Sequence, residues 1–337
     1  MFKILILSLL TFSLHASETS TIAFYNVENM FDHIDDADVD DREFTPNGTN
    51  SWTKEKSLKK IKNIASVLQK MRADVVGLAE VENLNVLELL ISMNELKSLN
   101  YKIVHFDSPD KRGIDVALLY RADVFEVESS EAITFEMSGL KPTRDILKVK
   151  GNLKGESVLL YVNHWPSRSG GQAASEKFRK GAAKLLKDNY LAEKQTDLNT
   201  KVIMMGDFND DPTNTSLKTV LGAKATKAAV KENGIYNPYH AFFKRGEGTS
   251  AYQDAWNNFD QIFVSDSLLK AHSGLTFSKA RIYRASFLIQ SSGRYRGYPL
   301  RTMVDGQIGY SDHLPVIIEL KNDSISSLKC GSRHCAN

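Results

Sequence analysis

Gly206-Asp207-Phe208-Asn209-Asp210 and Ser311-Asp312-His313-Leu314-Pro315 are the two segments where cation-binding and proton-carrying side chains crowd against apolar runs. Asp207 and Asn209 are spaced i, i+2, which puts both on one side of an extended chain. Asp312 and His313 immediately precede the apolar run Val316–Leu320. Three further runs end in a polar group: Ile22-Ala-Phe-Tyr in Asn26, Val75-Val-Gly-Leu-Ala in Glu80, and Leu159-Leu-Tyr-Val-Asn in His164. Asn258-Phe259-Asp260-Gln261-Ile262 adds a carboxylate at the entry to another apolar run. Any one of these has a plain explanation, because Asn and Asp favour turns. Together they describe a site. Glu80, Asp207, Asn209 and Asp312 offer hard oxygen ligands suited to Mg2+ or Mn2+, and no cluster of Cys or His invites zinc. His164 and His313 can carry protons.

Such a set works only if rigid elements deliver it to one place. The apolar runs read as strands over Thr21–Asn26, Asp74–Ala79, Lys102–Phe106, Asp115–Tyr120, Arg144–Leu153, Ser157–Asn163, Val202–Gly206, Phe259–Val264 and Val316–Leu320. Lys54–Met71 is a helix with Leu58, Ile61, Ile64, Ala65, Leu68 and Met71 on one face. Asn83–Leu96 is a second helix, and Ser175–Ala192 a third, with Ser175 as its N-cap. Hairpins mixed with helices, rather than strict alternation, predict mixed sheets covered by helices. An antiparallel strand begins where its neighbours end. The Asp312-His313 pair, ahead of Val316–Leu320, can therefore join the groups at the other strand ends.

Length and composition frame the rest. The 337 residues are 42% hydrophobic and 25% charged, with 16 Phe and 12 Tyr, enough apolar mass for a large core. Low-complexity disorder, collagen and coiled coil are excluded. No repeat or linker tract divides the chain, so one catalytic domain over residues 17–322 is expected. Residues 1–16 read as a signal peptide, with Lys3 ahead of the apolar run Ile4–Leu14, which is too short to span a bilayer. The protein is thus expected to be exported, periplasmic or secreted, without stable membrane insertion, and monomeric. Residues 323–337 form a C-terminal tail holding both cysteines, Cys330 and Cys335, which pair at most with each other. Overall charge is balanced, 43 basic against 41 acidic side chains, but its placement is uneven. Glu28 to Glu43 carries eight acids and one base, whereas Ser267 to Val304 carries seven bases and no acid.

In order along the chain, Asn26, Glu80, His164, Asp207-x-Asn209, Asp260 and Asp312-His313 resemble the endonuclease/exonuclease/phosphatase superfamily, the DNase I-like fold. Gly-Asp-Phe-Asn and Ser-Asp-His-x-Pro-Val are its specific motifs, and the resemblance runs from about Thr21 to Leu320. Asn163-His164-Trp165-Pro166-Ser167-Arg168 and Trp256–Ile262 look like an exported bacterial, nuclease-like branch. The resemblance implies an α/β fold, a four-layer sandwich of two packed mixed β-sheets flanked by α-helices, and a metal-dependent phosphoester hydrolase. It implies Glu80 as principal metal ligand, with Asp312 and Asn26 in support. Asp207 and Asn209 would orient the attacking water, the phosphate or a second ion. His313, polarised by Asp260, would be general base or phosphate contact, and His164 a second acid–base or transition-state group. Asp115 is a candidate partner for His164, or simply an Asp at a strand start.

Substrate contacts are expected from Asn163 and from Arg168, whose fork matches phosphate oxygens unless it is a solvated loop charge. Arg294 and Arg296 interleave with Tyr295 and Tyr298, a pattern suited to a polynucleotide backbone and bases, or else to a surface loop. A nuclease on DNA or RNA is the leading expectation. A phosphatase or phosphodiesterase on inositol phosphates or a sphingolipid is the alternative, and an inactive binding module is a third. The run Asp35-Asp36-Ala-Asp38-Val-Asp40-Asp41 lacks the Gly and terminal Glu of an EF-hand. It reads as a solvated loop, with a structural Ca2+ as the competing interpretation.

Overall fold

The structure is a computed structural model describing residues 18–270, 274–304 and 306–322. The expected signal peptide, the tail with Cys330 and Cys335, and His272 lie outside the described residues. The strands are β1 (Glu18–Met30), β2 (Val75–Val81), β3 (Tyr101–His105), β4 (Asp115–Arg121), β5 (Phe125–Ile133), β6 (Ile146–Leu153), β7 (Glu156–His164) and β8 (Lys201–Asp207). They continue with β9 (Ile235–Tyr236), β10 (Ser250–Tyr252), β11 (Ala255–Asn257), β12 (Asp260–Ser265), β13 (Leu275–Ile282), β14 (Met303–Val304), β15 (Gln307–Ile308) and β16 (Val316–Asn322). The α-helices are α1 (Lys54–Met71), α2 (Leu84–Ser92), α3 (Gln172–Thr196) and α4 (Tyr239–Lys244).

Two six-stranded mixed sheets, ordered β13-β16-β1-β2-β4-β3 and β5-β6-β7-β8-β12-β9, form the inner layers. Each holds one parallel pair, β1 with β2 and β7 with β8, and its other pairings are antiparallel. A parallel pair needs a long crossover, and α1 and α3 supply the two. Alternation along β1 shows the layering: Ile22 and Phe24 pack with Val158, Leu160 and Ile203 between the sheets. Ala23, Tyr25 and Val27 pack outward with Ile61, Ile64 and Leu68 of α1. The second sheet likewise packs Tyr161, Val202 and Met204 against Ala183 and Leu186 of α3. The expected four-layer α/β sandwich is observed.

Thr53 caps α1 by accepting from the Lys56 N–H, and Asn83 caps α2 by accepting from Val86. The start of α3 differs from expectation. It begins at Gln172, after Gly171 at φ 103°, and Ser175 sits inside the first turn. There the Ser175 hydroxyl donates to the Gly171 carbonyl and accepts from Arg179. Glycine, free to take positive φ, sets the boundary in place of a side-chain cap. Seven strands escaped the sequence reading: five of two or three residues, and two long ones, β13 and β5, whose polar outer positions hide any apolar run. Among the described residues, no helix is long and apolar enough to cross a membrane.

Candidate active site

Both parallel pairs end at the same edge of the sandwich. Asn26 pairs with Ala79 just before Glu80, and His164 pairs with Asp207. The antiparallel β12 starts there too, with Asp260 opposite Asp207. Val316, first residue of β16, pairs with Phe24, so the segment carrying Asp312 and His313 runs beside the Asn26–Glu28 part of β1.

Backbone irregularities aim the side chains. The β2–β4 register slips between Ala79 and Val81, leaving Glu80 as a bulge residue at φ 63°. A second slip in β1, between Asn26 and Met30, spans Glu28 and Asn29 at φ 48° and 55°. Asn209 is at φ 49°. Left-handed backbone costs about 1–2 kcal/mol for a side-chain-bearing residue, and such costs gather at functional sites.

The bulged segments hold one another. Asn26 Nδ2 donates to Glu80 Oε1 at 3.2 Å and to Asp207 Oδ2 at 3.0 Å, while the Asn29 N–H donates to Glu80 Oε2 at 3.0 Å. Asp207 Oδ1 accepts from the Asn209 N–H at 2.9 Å. Two imidazoles flank Asp207 Oδ2: His164 Nε2 at 3.7 Å and His313 Nε2 at 3.9 Å. His164 Nε2 is also 3.8 Å from Glu80 Oε1. On its far side, His313 Nδ1 lies 2.7 Å from Asp260 Oδ2.

The two histidines differ in charge for local reasons. Burial, reinforced by Arg144 and Arg112, pushes His164 well below its ordinary pKa, so it is neutral; its Nδ1 is buried without a partner. Burial also opposes charge on His313, but Asp260, Asp207 and Asp312 outweigh it and hold the imidazole well above its ordinary value. Burial raises Asp207 to about 6, a value suited to accepting a proton near neutral pH.

Sequence reasoning missed the residues underneath. Glu28 accepts from the N–H groups of Thr302 and Asp312 and from Arg301, fixing the loop that carries Asp312. Its bulge sends the side chain where strand alternation gives no guide. Lys60 of α1 is fully buried and donates to the carbonyls of Val27 and Tyr310 and to Thr302 Oγ1. Burial lowers it to about 8 against the pull of Glu28 and Asp312. Lys60→Met leaves those buried acceptors without their donor and should cost about 2–4 kcal/mol. Urea unfolding measures this; a loss below about 0.5 kcal/mol, the level of an inert surface change, would mean that the clamp carries no stability.

Five residues expected to contact substrate or His164 are engaged otherwise. Asn163 is fully buried, donating to the Met205 carbonyl and accepting from Trp165 Nε1, so it braces β8 and cannot reach substrate. Arg168 borders the groove, but its fork is engaged by Asp210, Asp211 and Asn214, its Nε donates to the Asn209 carbonyl, and it stacks on Phe259 at 4.4 Å. It buttresses the Asp207–Asn209 loop. Asp115 pairs with His105 at 2.8 Å and not with His164. Arg294 is exposed and paired with Asp254, and Arg296 is exposed beside it, on a loop that packs Tyr298 against Trp256. Neither borders the groove.

That groove, about 740 Å3, opens from Asp312 and His313 between the β10–β11 hairpin and the Arg168–Gln172 loop. Tyr252, 70% exposed, stands on the hairpin. The donor set suits a hard divalent cation: Glu80, Asp207 and Asp312 present oxygen atoms, and carboxylates outnumber the cationic side chains His313, Arg301 and Lys60 once Glu28 and Asp260 are included.

A model of the endonuclease/exonuclease/phosphatase family matches residues 21–322. A Bacteroides thetaiotaomicron protein of that family is 18% identical with a TM-score of 0.58, over 91% of this chain and 99% of that one. The B. thetaiotaomicron mannosyl-6-phosphatase is 18% identical with a TM-score of 0.57, over 89% and 99%. D. rerio TDP2, complexed with a single-strand DNA product, is 15% identical with a TM-score of 0.56, over 90% and 98%. At such identities these likenesses establish the fold. No curated protein matches the chain.

Proposed function

Because the chain belongs to the endonuclease/exonuclease/phosphatase family, we propose that it is a divalent-metal-dependent phosphodiesterase, an exported nuclease that cleaves nucleic acid by attack of water. The observation carrying the diester reading is the groove. It continues from His313 past an exposed aromatic ring, leaving room for a residue beyond the scissile phosphate. The exported location rests on the N-terminal apolar run.

Glu80 and Asp312 would hold Mg2+ or Mn2+, with Asn26 fixing the Glu80 carboxylate from the side. Such an ion polarises a phosphoryl oxygen and neutralises the leaving alkoxide. His164, neutral, donates from Nε2 to a phosphoryl oxygen lying between the two imidazoles. Asp207, held by Asn209 and Asn26, orients the water and accepts its proton. His313, charged through Asp260, binds the phosphate and returns a proton to the departing oxygen.

One observation favours a second reading. Arg168 is the one Lys or Arg among the groove-lining residues, and its donors are already engaged, while Ser169, Gln172, Gln253 and Asn257 are neutral and polar. Such walls suit a sugar phosphate. Plasmid DNA, RNA, a small chromogenic phosphodiester, hexose phosphates, inositol phosphates and sphingomyelin, each with Mg2+, Mn2+ or chelator, separate these. Hydrolysis confined to monoesters or lipid would overturn the nuclease reading.

The groove also predicts a specificity residue. Tyr252→Ser should raise KM for polynucleotide about tenfold, since stacking on a base contributes about 1–3 kcal/mol, and should leave the small diester unchanged. Equal effects on both substrates would mean that the hairpin serves the catalytic centre instead.

A further inference from the structure

A second acidic cluster lies apart from the reacting groups, where the loop after β1 folds over the end of β2. Oxygen atoms of Asp36, Asp41 and Glu82 lie within 4.8 Å of one another. Asp41 and Glu82 are 1% and 4% exposed, yet Asp41 Oδ1 and Glu82 Oε1 have no hydrogen-bond partner. Their other oxygens are engaged, Asp41 Oδ2 by the Asp36 N–H at 3.2 Å and Glu82 Oε2 by the Asp32 N–H at 2.7 Å. Each buried carboxylate thus keeps one oxygen without a hydrogen-bond donor, and one oxygen from each lies within reach of a single ion.

Among the described residues no cation pairs with them. Among the described residues none of the three carboxylates is in an ion pair, and Arg42 next door is spent on Asp40. The cavity beside Asp36 and Glu82, about 370 Å3, is lined by Asp32, Asp36, Asp38, Glu82, Asp107 and Asp115 among others, with no Lys or Arg. Asp115 is matched by His105 Nε2 at 2.8 Å, and Asp107 lies 4.0 Å from Nδ1 of the same imidazole. An unpaired buried carboxylate is costly, and two share this site. The loop is nonetheless fixed: the Asp40 N–H donates to the Lys111 carbonyl at 2.7 Å, and Val39 packs against Gly113.

We propose that Asp36, Asp41 and Glu82 form a Ca2+ site that ties the loop after β1 to the end of β2. The spacing suits that ion. With Ca–O distances of about 2.3–2.6 Å, one ion touches oxygens up to about 5 Å apart, whereas Mg2+, at about 2.0–2.1 Å, reaches a smaller span and keeps its waters. Cavity water completes the six to eight ligands that Ca2+ takes. The bound ion crosslinks the acidic loop to a residue two positions past Glu80, so its chemical role is to brace the catalytic strand end.

Equilibrium dialysis of the full chain against radioactive Ca2+, in excess Mg2+, tests this directly. One Ca2+ should be retained per chain, and Asp41→Asn and Asp36→Asn should each weaken it at least about tenfold. Asp312→Asn, on the catalytic side, should retain it. Ca2+ should also raise the wild-type Tm by several degrees, by binding only the folded state, and Mg2+ should not reproduce the rise. Asp36 is exposed, so Asp36→Asn keeps the test open if Asp41→Asn fails to fold. No retained Ca2+, a weakening of less than tenfold in Asp36→Asn, or loss of the ion in Asp312→Asn overturns the site. In the first case the two buried carboxyls hold protons instead.

Discussion

His313→Ala should lower kcat by about 10²–10⁴, the range for a residue that moves a proton in the transition state, and added divalent ion should not restore it. His313 touches two carboxylates with separate jobs. Asp260 at 2.7 Å holds Nδ1, while Nε2 stands 3.9 Å from Asp207 Oδ2. Alanine removes both the positive charge and the proton donor. Asp260→Asn should be a milder copy, because the imidazole stays but loses the anion that orients and charges it. The two changes should be strongly non-additive, the double variant falling little below His313→Ala alone. Multiplicative losses would show that Asp260 acts independently of the imidazole. Wild-type turnover in His313→Ala would remove the residue from the mechanism.

Glu80→Ala should behave differently. Its carboxylate is held by Asn26 and the Asn29 N–H with 15% of its side chain exposed, open enough to meet an ion. Activity at limiting Mg2+ should fall by about 10²–10³, the rate equivalent of several kcal/mol of lost charge stabilisation. Raising Mg2+ or Mn2+ should recover part of it, because Asp312 and Asp207 remain. A loss of the same size at every ion concentration would mean that Glu80 shapes the strand ends without holding the cation. Measured side by side, the two variants separate cation binding from proton transfer.

What the sequence made legible follows from periodicity and direction. Helix α1 spans Lys54–Met71 as read, because an amphipathic face and a Thr53 cap agree. The convergence of Glu80, His164 and Asp207 was readable from apolar runs that end in polar groups. Asp312-His313 was placed by the rule that an antiparallel strand starts where its neighbours stop. Departures from periodicity were not readable. Glu28 is turned by a left-handed bulge, and Arg301 reaches it across 273 positions in sequence. Nothing local to Arg168 shows that Asp210, Asp211 and Asn214 already occupy its fork. Asp41 and Glu82 lie on different elements, and only the folded loop brings their oxygens together.

The reacting groups come from both sheets. Asn26, Glu80, Asp312 and His313 belong to the first, and His164, Asp207 and Asp260 to the second. Neither half carries a competent set, so hydrolysis waits on docking of the two sheets through their shared apolar layer. Chains still being synthesised, or held unfolded by a chaperone, are therefore inactive. A destabilising change in the inter-sheet core should extinguish activity in step with folding, leaving no partly folded species that cuts. If the proposed nuclease activity holds, the division of labour between two sheets is a built-in safety catch.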